Sequence, residues 1–116
     1  MYADDTAKHG AKPMKTISSQ RHLDDEIVEQ KIADADFDVL VSPEFDYDGD
    51  VYRIVIDGHH SLAAARIAGN EPNFIEATIQ QSDSIGVLRA GDIDDYLQIN
   101  RIDSAYYDID TGKDVW

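Results

Sequence analysis

The residues best suited to chemistry are Asp57-Gly58-His59-His60-Ser61, which follow a β-branched run and precede an alanine-rich segment. A glycine between a strand and a helix leaves the first N–H groups of the helix, and the positive end of its dipole, open to an anion. The two histidines add ring donors whose charge changes near neutral pH, and the serine hydroxyl can bond the anion or cap the helix. The pattern predicts a phosphate-binding turn, and a purely structural Asp-Gly turn is the alternative.

This turn needs a strand before it and a helix after it, and the sequence provides both. Residues 51–56 are dense in β-branched side chains, which favours a strand. Residues 61–68 are rich in alanine and are followed by Gly69, where a left-handed helix cap is wanted. Upstream, residues 37–41 are predicted to form another strand, joined to the first by a hairpin connection at 42–50.

The remaining elements follow from apolar spacing. It predicts a helix over 23–34 and a strand over 74–79 that is covered on both faces. A short helix is predicted to begin near Asp92, whose carboxylate can cap it. Residues 106–116 are expected to form a strand and turn, or a terminal hairpin. Together these elements predict an α+β fold with a small mixed sheet and helices.

The length of 116 residues predicts a single domain. Residues 1–14 have no hydrophobic period and are predicted to be a flexible arm, whereas residues 15–116 form the domain, with an acidic, aromatic C-terminal extension. Cysteine is absent, which excludes disulfides, thiolate metal sites and thiol nucleophiles. Neither an apolar run of membrane-spanning length nor a basic-then-apolar leader occurs, so the sequence predicts a cytoplasmic protein without a membrane partner.

The formal net charge is −14, from 24 acidic side chains against 10 basic ones. Proteins bind phosphate backbones through Lys and Arg, so this charge opposes direct binding to DNA. One interpretation is high solubility, and the other is an acidic face for a basic partner protein. The alternating aspartates at 46–50 and 108–114 have the spacing of calcium loops but lack the glycine and glutamate of the full pattern. They are interpreted as turns, and no metal site is predicted.

Residues 55–65 resemble the D-G-H-H-R-L-x-A box of the ParB/sulfiredoxin-like superfamily at seven positions of eight. The predicted order of elements agrees with that superfamily over roughly residues 15–80. The resemblance implies a stand-alone ParB-like domain that binds a nucleotide, CTP, ATP or ADP, with or without magnesium, or another phosphate ligand. The residues that it implies contact phosphate are Gly58, His59, His60 and Ser61.

The same resemblance implies that Asp57 orients a histidine or holds a metal–nucleotide complex. If the domain is an enzyme, which the sequence leaves open, the implied reaction is phosphoryl transfer or nucleotide hydrolysis, with Asp57 or His60 as the acid/base. Ser61 stands where the superfamily usually has arginine, so the bidentate phosphate clamp is missing there. Arg66 lies on the following helix about a turn and a half away and is a poor substitute. The superfamily's DNA-binding helix-turn-helix is also missing from this chain.

A second hypothesis belongs to a different class of protein. Tyrosines and a tryptophan ringed by carboxylates are typical of a protein-binding face, and such a face can imitate the charge array of DNA. The alternative is therefore a catalytically silent, acidic interaction protein, phage-encoded, that inhibits a basic nucleic-acid-binding machine such as a CRISPR effector. Its predicted partner-binding residues are Asp92, Asp94, Asp95, Tyr96, Tyr106, Tyr107, Asp108 and Asp110.

Overall fold

The computed structural model of the chain describes residues 13–116. Most of the arm predicted at residues 1–14 lies outside this part. The elements are β1 Met14–Ser18, α1 Asp25–Ala33, β2 Asp38–Val41, β3 Phe45–Tyr47, β4 Asp50–Asp57, α2 His59–Ala68, β5 Asn73–Glu76, α3 Ile85–Arg89, α4 Ile93–Ile99 and β6 Tyr107–Asp108. The predicted α+β class with a mixed sheet is confirmed.

The described strands form one sheet of six, in the order β5-β2-β4-β1-β6, with β3 also paired to β4. β4 is the longest strand and lies at the centre. It runs parallel to β1, where Ile17 is opposite Ile54, and antiparallel to β2 and β3. β5 is parallel to β2, and β6 is antiparallel to β1. The strand that leads into the predicted turn is therefore held on both sides by backbone hydrogen bonds.

The connection predicted at residues 42–50 contains a strand of its own. β3 pairs with β4 so that Phe45 is opposite Tyr52. The turn between them is Asp48-Gly49, with positive φ angles of 51° and 86°. Two successive positive φ angles are what a two-residue hairpin turn with right-handed strand twist requires, and Asp-Gly favours them. The prediction of a hairpin is confirmed, although the hairpin turn joins β3, not β2, to β4.

Three other predictions need correction. β1 begins at Met14, within the segment predicted as an arm, and its Ile17 is fully buried. The strand predicted at 74–79 is shorter, and its Ile75 and Glu76 are exposed because β5 lies at the edge of the sheet, so the prediction that both its faces are covered is wrong. α4 begins after Asp92 as predicted, but the carboxylate of Asp92 makes no capping hydrogen bond, and the helix starts from its carbonyl oxygen.

The core consists of two hydrophobic clusters. The first brings strands β1, β3 and β4 together with α3 and α4, and its buried members are Ile17, Phe45, Tyr52, Ile54, Leu88, Tyr96, Leu97 and Tyr106. The second lies against α2, and its buried members are Val39, Val41, Val55, Leu62 and Ile109. None of the helices within residues 13–116 has the length and apolar character needed to cross a membrane.

Candidate functional site

The strand–turn–helix predicted around Asp57 is present. β4 ends at Asp57, Gly58 has a left-handed φ of 91°, and α2 begins at His59. The first backbone hydrogen bond of the helix runs from the N–H of Leu62 to the carbonyl oxygen of Gly58, at 2.8 Å. Gly69 closes the helix in the left-handed conformation, as predicted. The local backbone is therefore the one that an anion site would need.

Gly58 has a different role from the one expected. A Cβ on this residue would lie 2.5 Å from the carbonyl oxygen of Asp38 and 2.9 Å from the Cα of Val39. Both distances are too short for a real Cβ contact, so the missing side chain lets β2 approach the start of α2. The glycine was expected to admit a ligand, but the backbone of β2 occupies the space it leaves.

Asp57 and Ser61 are both engaged in short-range contacts. The Asp57 carboxylate accepts the N–H of Gly58 at 2.8 Å. Ser61 is buried, and its hydroxyl donates to Oδ1 of Asp36 at 3.3 Å, so it does not cap the helix as expected. Asp36 in turn pairs with Lys31 at 2.9 Å, and the hydrogen bond from Lys31 lowers the pKa of this carboxyl.

The cavity in front of the turn has a volume of about 290 Å³ and an acidic lining. Its charged side chains are Lys31, Asp36, Asp38 and Asp57. Three carboxylates thus face one ammonium group, and that group already pairs with Asp36. Like charges at short distance repel, so this electrostatic environment opposes a bare phosphate. Within residues 13–116, no group of three or more His, Asp or Glu side chains is arranged to hold a metal ion.

His60 connects the two long helices. Its Nε2 accepts the backbone N–H of Asp24 at 3.1 Å. Asp24 is the N-cap of α1, and its carboxylate accepts the N–H of Glu26 at 2.9 Å. The ring nitrogen thus serves as the hydrogen-bond acceptor for the N-cap residue of α1. The side chain predicted as an acid/base thus takes part in the packing of α1 on α2.

His59 lies on another side of α2, away from the acidic cavity. Its side chain is 7 % exposed, and burial lowers its pKa, so the ring is neutral near pH 7. It lines a separate cavity together with Gln20, Leu23 and Tyr107. The structure therefore divides the predicted phosphate contacts between two cavities, with Gly58 and Ser61 in one and His59 in the other.

Arg66 does not replace the missing arginine of the box. Its guanidinium group donates to the carbonyl oxygen of Ile109 and pairs with Asp110 at 3.1 Å. It lines the cavity of His59 and not the acidic cavity. In the part of the chain that the structure describes, Lys31 is the one basic side chain that lines the space before the turn.

A further concave region lies between the β3–β4 hairpin and α4. We call it the aromatic groove. It has a volume of about 370 Å³, and its lining residues are Tyr47, Asp94, Leu97, Gln98, Arg101, Ala105, Tyr106 and Trp116. Trp116 is 40 % exposed, and its ring meets those of Tyr47, Tyr52 and Tyr106 edge-on at centroid distances of 5.1, 4.9 and 5.7 Å. These contacts fix the indole in place while leaving part of it open to a partner.

One carboxylate lines this groove, and others lie at a concavity beside it. The hydroxyl of Tyr47 donates a hydrogen bond to Asp94, and Asp94 and Asp48 both raise the pKa of Tyr47. A neighbouring concavity of about 470 Å³ is lined by Asp48, Asp50, Asp108 and Val115 among others, and Val115 precedes Trp116 in the chain. We call the following set the acidic surface: Asp48, Asp50, Asp92, Asp94, Asp95 and Asp108.

Only part of the predicted partner-binding set lies on this surface. Asp92, Asp94 and Asp95 are exposed, but Tyr96 and Tyr106 are buried in the first cluster. Tyr96 is fully buried and out of reach of a partner, whereas Tyr106 also lines the aromatic groove. Burial raises the pKa of both tyrosine hydroxyls to about 12.

The last three predicted partner-binding residues are Tyr107, Asp108 and Asp110, and they make contacts within the domain. The Tyr107 hydroxyl donates to the carbonyl oxygen of Gln20 at 2.7 Å. The Asp108 carboxylate accepts the N–H of Asp110 at 2.8 Å, and the Asp110 carboxylate pairs with Arg66. Of the three, Asp108 lines the concavity beside the aromatic groove.

Tyr47 is the functional candidate that sequence reasoning missed, because its run of aspartates was interpreted as a turn. The alternation of Phe45, Asp46 and Tyr47 was the available signal, with aromatic residues at every second position. The structure thus offers an acidic turn and an acidic, aromatic surface as candidate sites. Comparison of the chain with protein-family models, with curated proteins and with solved structures finds no match.

Proposed function

We propose that this domain is a protein-binding module that presents its acidic surface and aromatic groove to a basic partner. The observation that carries the proposal is the contact between Tyr47 and Asp94. It joins the hairpin, whose Asp48 and Asp50 line the neighbouring concavity, to α4, whose Asp94 lines the groove. A positively charged segment that lies across the groove would meet aspartates from both elements.

Most carboxylates of the acidic surface are available to a partner. In the described part of the chain, Asp50 is the only member of the set in an ion pair, with Lys15 at 3.5 Å. Unpaired like charges on one surface produce a potential that attracts oppositely charged proteins and orients them during encounter. The contribution of each exposed charge is small, so the surface acts as a set.

The aromatic groove adds ring surface that a partner can bury, which the charged residues alone do not provide. Tyrosine and tryptophan are enriched at protein interfaces, where they bury large areas at low entropic cost. The faces of such rings also attract lysine and arginine side chains. Arg101 lines the same groove, and its Nε donates to the carbonyl oxygen of Ser104 at 3.2 Å. A cation from the partner would therefore bind at the Asp94 side of the groove, away from Arg101.

Under this proposal the domain works without chemistry of its own. The two residues predicted to be catalytic have structural contacts: Asp57 with the N–H of Gly58, and His60 with the N–H of Asp24. The more specific form of the proposal is that the partner is a nucleic-acid-binding protein. The acidic surface would then cover the face of that protein which otherwise binds phosphate backbones.

The test uses a decalysine peptide and the fluorescence of Trp116, which is the only tryptophan in the chain. We expect the peptide to change the Trp116 emission and its affinity to fall at least about tenfold between about 50 and about 200 mM salt, since salt shortens the range of these interactions. Decaglutamate is the matched control and should leave the emission unchanged. An emission that responds to neither peptide, or equally to both, would contradict the proposal.

A second function rests on the strand–turn–helix itself. We propose a phosphate ligand, namely CTP, ATP or ADP with magnesium, at the cavity before α2, because the predicted backbone is formed there and Lys31 lines the cavity. The cation would offset the three carboxylates. Calorimetric titration of each nucleotide with and without magnesium tests this, with Lys31→Gln as the site variant and Lys113→Gln as its control. Absence of heat for all three nucleotides rejects this second function.

A further inference from the structure

We infer that the cavity beside His59 binds a small uncharged molecule with an apolar body and a single hydroxyl group. The cavity has a volume of about 150 Å³. Its apolar walls are Leu23, Leu62, Ala63 and Ile109, contributed by α2 and by the segments before α1 and after β6. This site is independent of the acidic surface and of the proposed protein partner.

The feature that points to a ligand is the imidazole of His59. The side chain is more than nine-tenths buried, with 7 % exposed, it lines the cavity, and its ring makes no hydrogen bond within residues 13–116. Buried polar atoms of native proteins almost always have a partner, since an unpaired one opposes folding. A ligand hydroxyl could supply that partner, because it can either donate to an imidazole nitrogen or accept from one.

The other polar side chains of the cavity already have partners. The Tyr107 hydroxyl donates to the carbonyl oxygen of Gln20, and Nε2 of Gln20 donates to the carbonyl oxygen of His22 at 3.1 Å. Arg66 donates to the carbonyl oxygen of Ile109 and pairs with Asp110. In the wall of this cavity, as far as the structure describes it, the imidazole is therefore the polar group left for a ligand.

Size and charge define the class of ligand. A cavity of about 150 Å³ with apolar walls holds a molecule the size of benzene, which is far smaller than a nucleotide. The one cation of the wall, Arg66, is paired with a carboxylate, and the imidazole is neutral. No uncompensated charge faces the cavity, so an ionised ligand would lose its hydration without gaining a partner. A single-ring alcohol or phenol fits these conditions.

The test compares phenol with toluene, which has a similar shape but no hydroxyl. The readout is the ring nitrogen resonances of His59 in the ¹⁵N-labelled chain. We expect phenol to shift these resonances and to bind about three- to tenfold more tightly than toluene, as one hydrogen bond would provide. The resonances of His22, which is exposed, serve as the internal control.

Two variants make the result specific. Ala63→Leu fills the cavity from the half-buried side of α2, so it should abolish phenol binding while circular dichroism stays unchanged. His59→Phe should make the affinities for phenol and toluene equal. If His59→Phe does not fold, the affinities for phenol and toluene are compared in the wild type and in Ala63→Leu, and this comparison tests the inference.

Three results would overturn the inference. The first is a set of His59 resonances that phenol does not move, and the second is equal affinity of the wild-type chain for phenol and toluene. The third is a shift of the same resonances by inorganic phosphate, which would indicate an anion site. Failure of the decalysine titration would leave this inference unaffected, because the two sites share no residue.

Discussion

The Tyr47 hydroxyl donates a hydrogen bond to Asp94 and so joins the β3–β4 hairpin to the first turn of α4. The same tyrosine meets Trp116 edge-on, with ring centroids 5.1 Å apart. One side chain thus contacts both the acidic helix end and the indole of the aromatic groove. The hydrogen bond raises the pKa of Tyr47, and the raised pKa is a spectroscopic signature of the contact.

Replacing Tyr47 separates the two contacts. Tyr47→Phe removes the hydrogen bond and keeps the ring, so we expect only a small fall in the free energy of unfolding and no change in the Trp116 emission. Tyr47→Ala removes both contacts and should shift the emission to longer wavelength as the indole meets more water. Urea unfolding followed by fluorescence measures both quantities. Equal emission shifts in the two variants would show that the edge-on contact does not shield Trp116.

Gly58 offers a direct test of the contact between β2 and α2. In Gly58→Ala the added Cβ would lie 2.5 Å from the carbonyl oxygen of Asp38, in addition to the strained φ of 91°. We expect the free energy of unfolding to fall by at least about 2 kcal/mol. Gly69→Ala is the matched control, since its φ is 74° but no atom lies within 4 Å of the added Cβ. That variant should lose about 1 kcal/mol, and equal losses in the two would contradict the assigned role of Gly58.

The turn could be predicted from the sequence because its signals are local. A β-branched run, then Asp57-Gly58, then an alanine-rich segment specify strand, turn and helix without help from distant residues. The environment of each side chain could not be predicted in this way. At a helix start successive side chains point about 100° apart, so what His59 and His60 contact depends on where β6 and α1 pack.

Dependence on residues far along the chain also explains why the sequence predicts an arm at Met14, where β1 begins. Its sequence, MKTIS, is short and mostly polar, yet Thr16 and Ser18 are buried. The Thr16 hydroxyl accepts a hydrogen bond from Nε of Arg53 at 2.8 Å, far along the chain. Polar residues can occupy a central strand when such long-range partners exist. Local periodicity carries no information about those partners.

His60 is predicted to stabilise the packing of α1 on α2. His60→Ala removes the acceptor for the N–H of Asp24, so we expect the free energy of unfolding to fall by about 0.5–1.5 kcal/mol. Amide hydrogen exchange at Asp24 should become faster in the variant, while exchange at Glu26, whose acceptor is the Asp24 carboxylate, should change less. Unchanged exchange at Asp24 would refute the structural role given to His60.

His59 makes the stability of the fold depend on pH. Burial lowers its pKa below the ordinary value of 6.5, so the unfolded chain takes up a proton that the folded chain resists. The contribution of His59 to the free energy of unfolding is therefore fully present above about pH 6.5. It is lost as the pH drops towards the folded pKa, by at most about 1.4 kcal/mol per pH unit. Asp57, Asp103 and the neighbouring His60 are the charged or titratable groups that act on the ring.

Urea unfolding between about pH 7.5 and about pH 5 measures this slope. His59→Gln should flatten it, whereas His22→Gln, at an exposed histidine, should not. The carboxyls with lowered pKa, Asp36 and Asp103, act in a separate window below their ordinary value of 3.8 and do not interfere. A slope that is equal in the wild type and in His59→Gln would contradict the assignment.

The most direct measurement for the proposed function is the affinity for decalysine of two variants with the same net charge. In the first, Asp92, Asp94 and Asp95 are changed to Asn, which keeps their shape and leaves an oxygen acceptor for Tyr47. In the second, Glu29, Glu71 and Glu76 are changed to Gln, three exposed positions that do not line the groove. The account predicts that the first weakens binding about tenfold and the second less than about twofold. Equal weakening in the two variants would contradict a localised binding surface and leave only the overall charge of the chain.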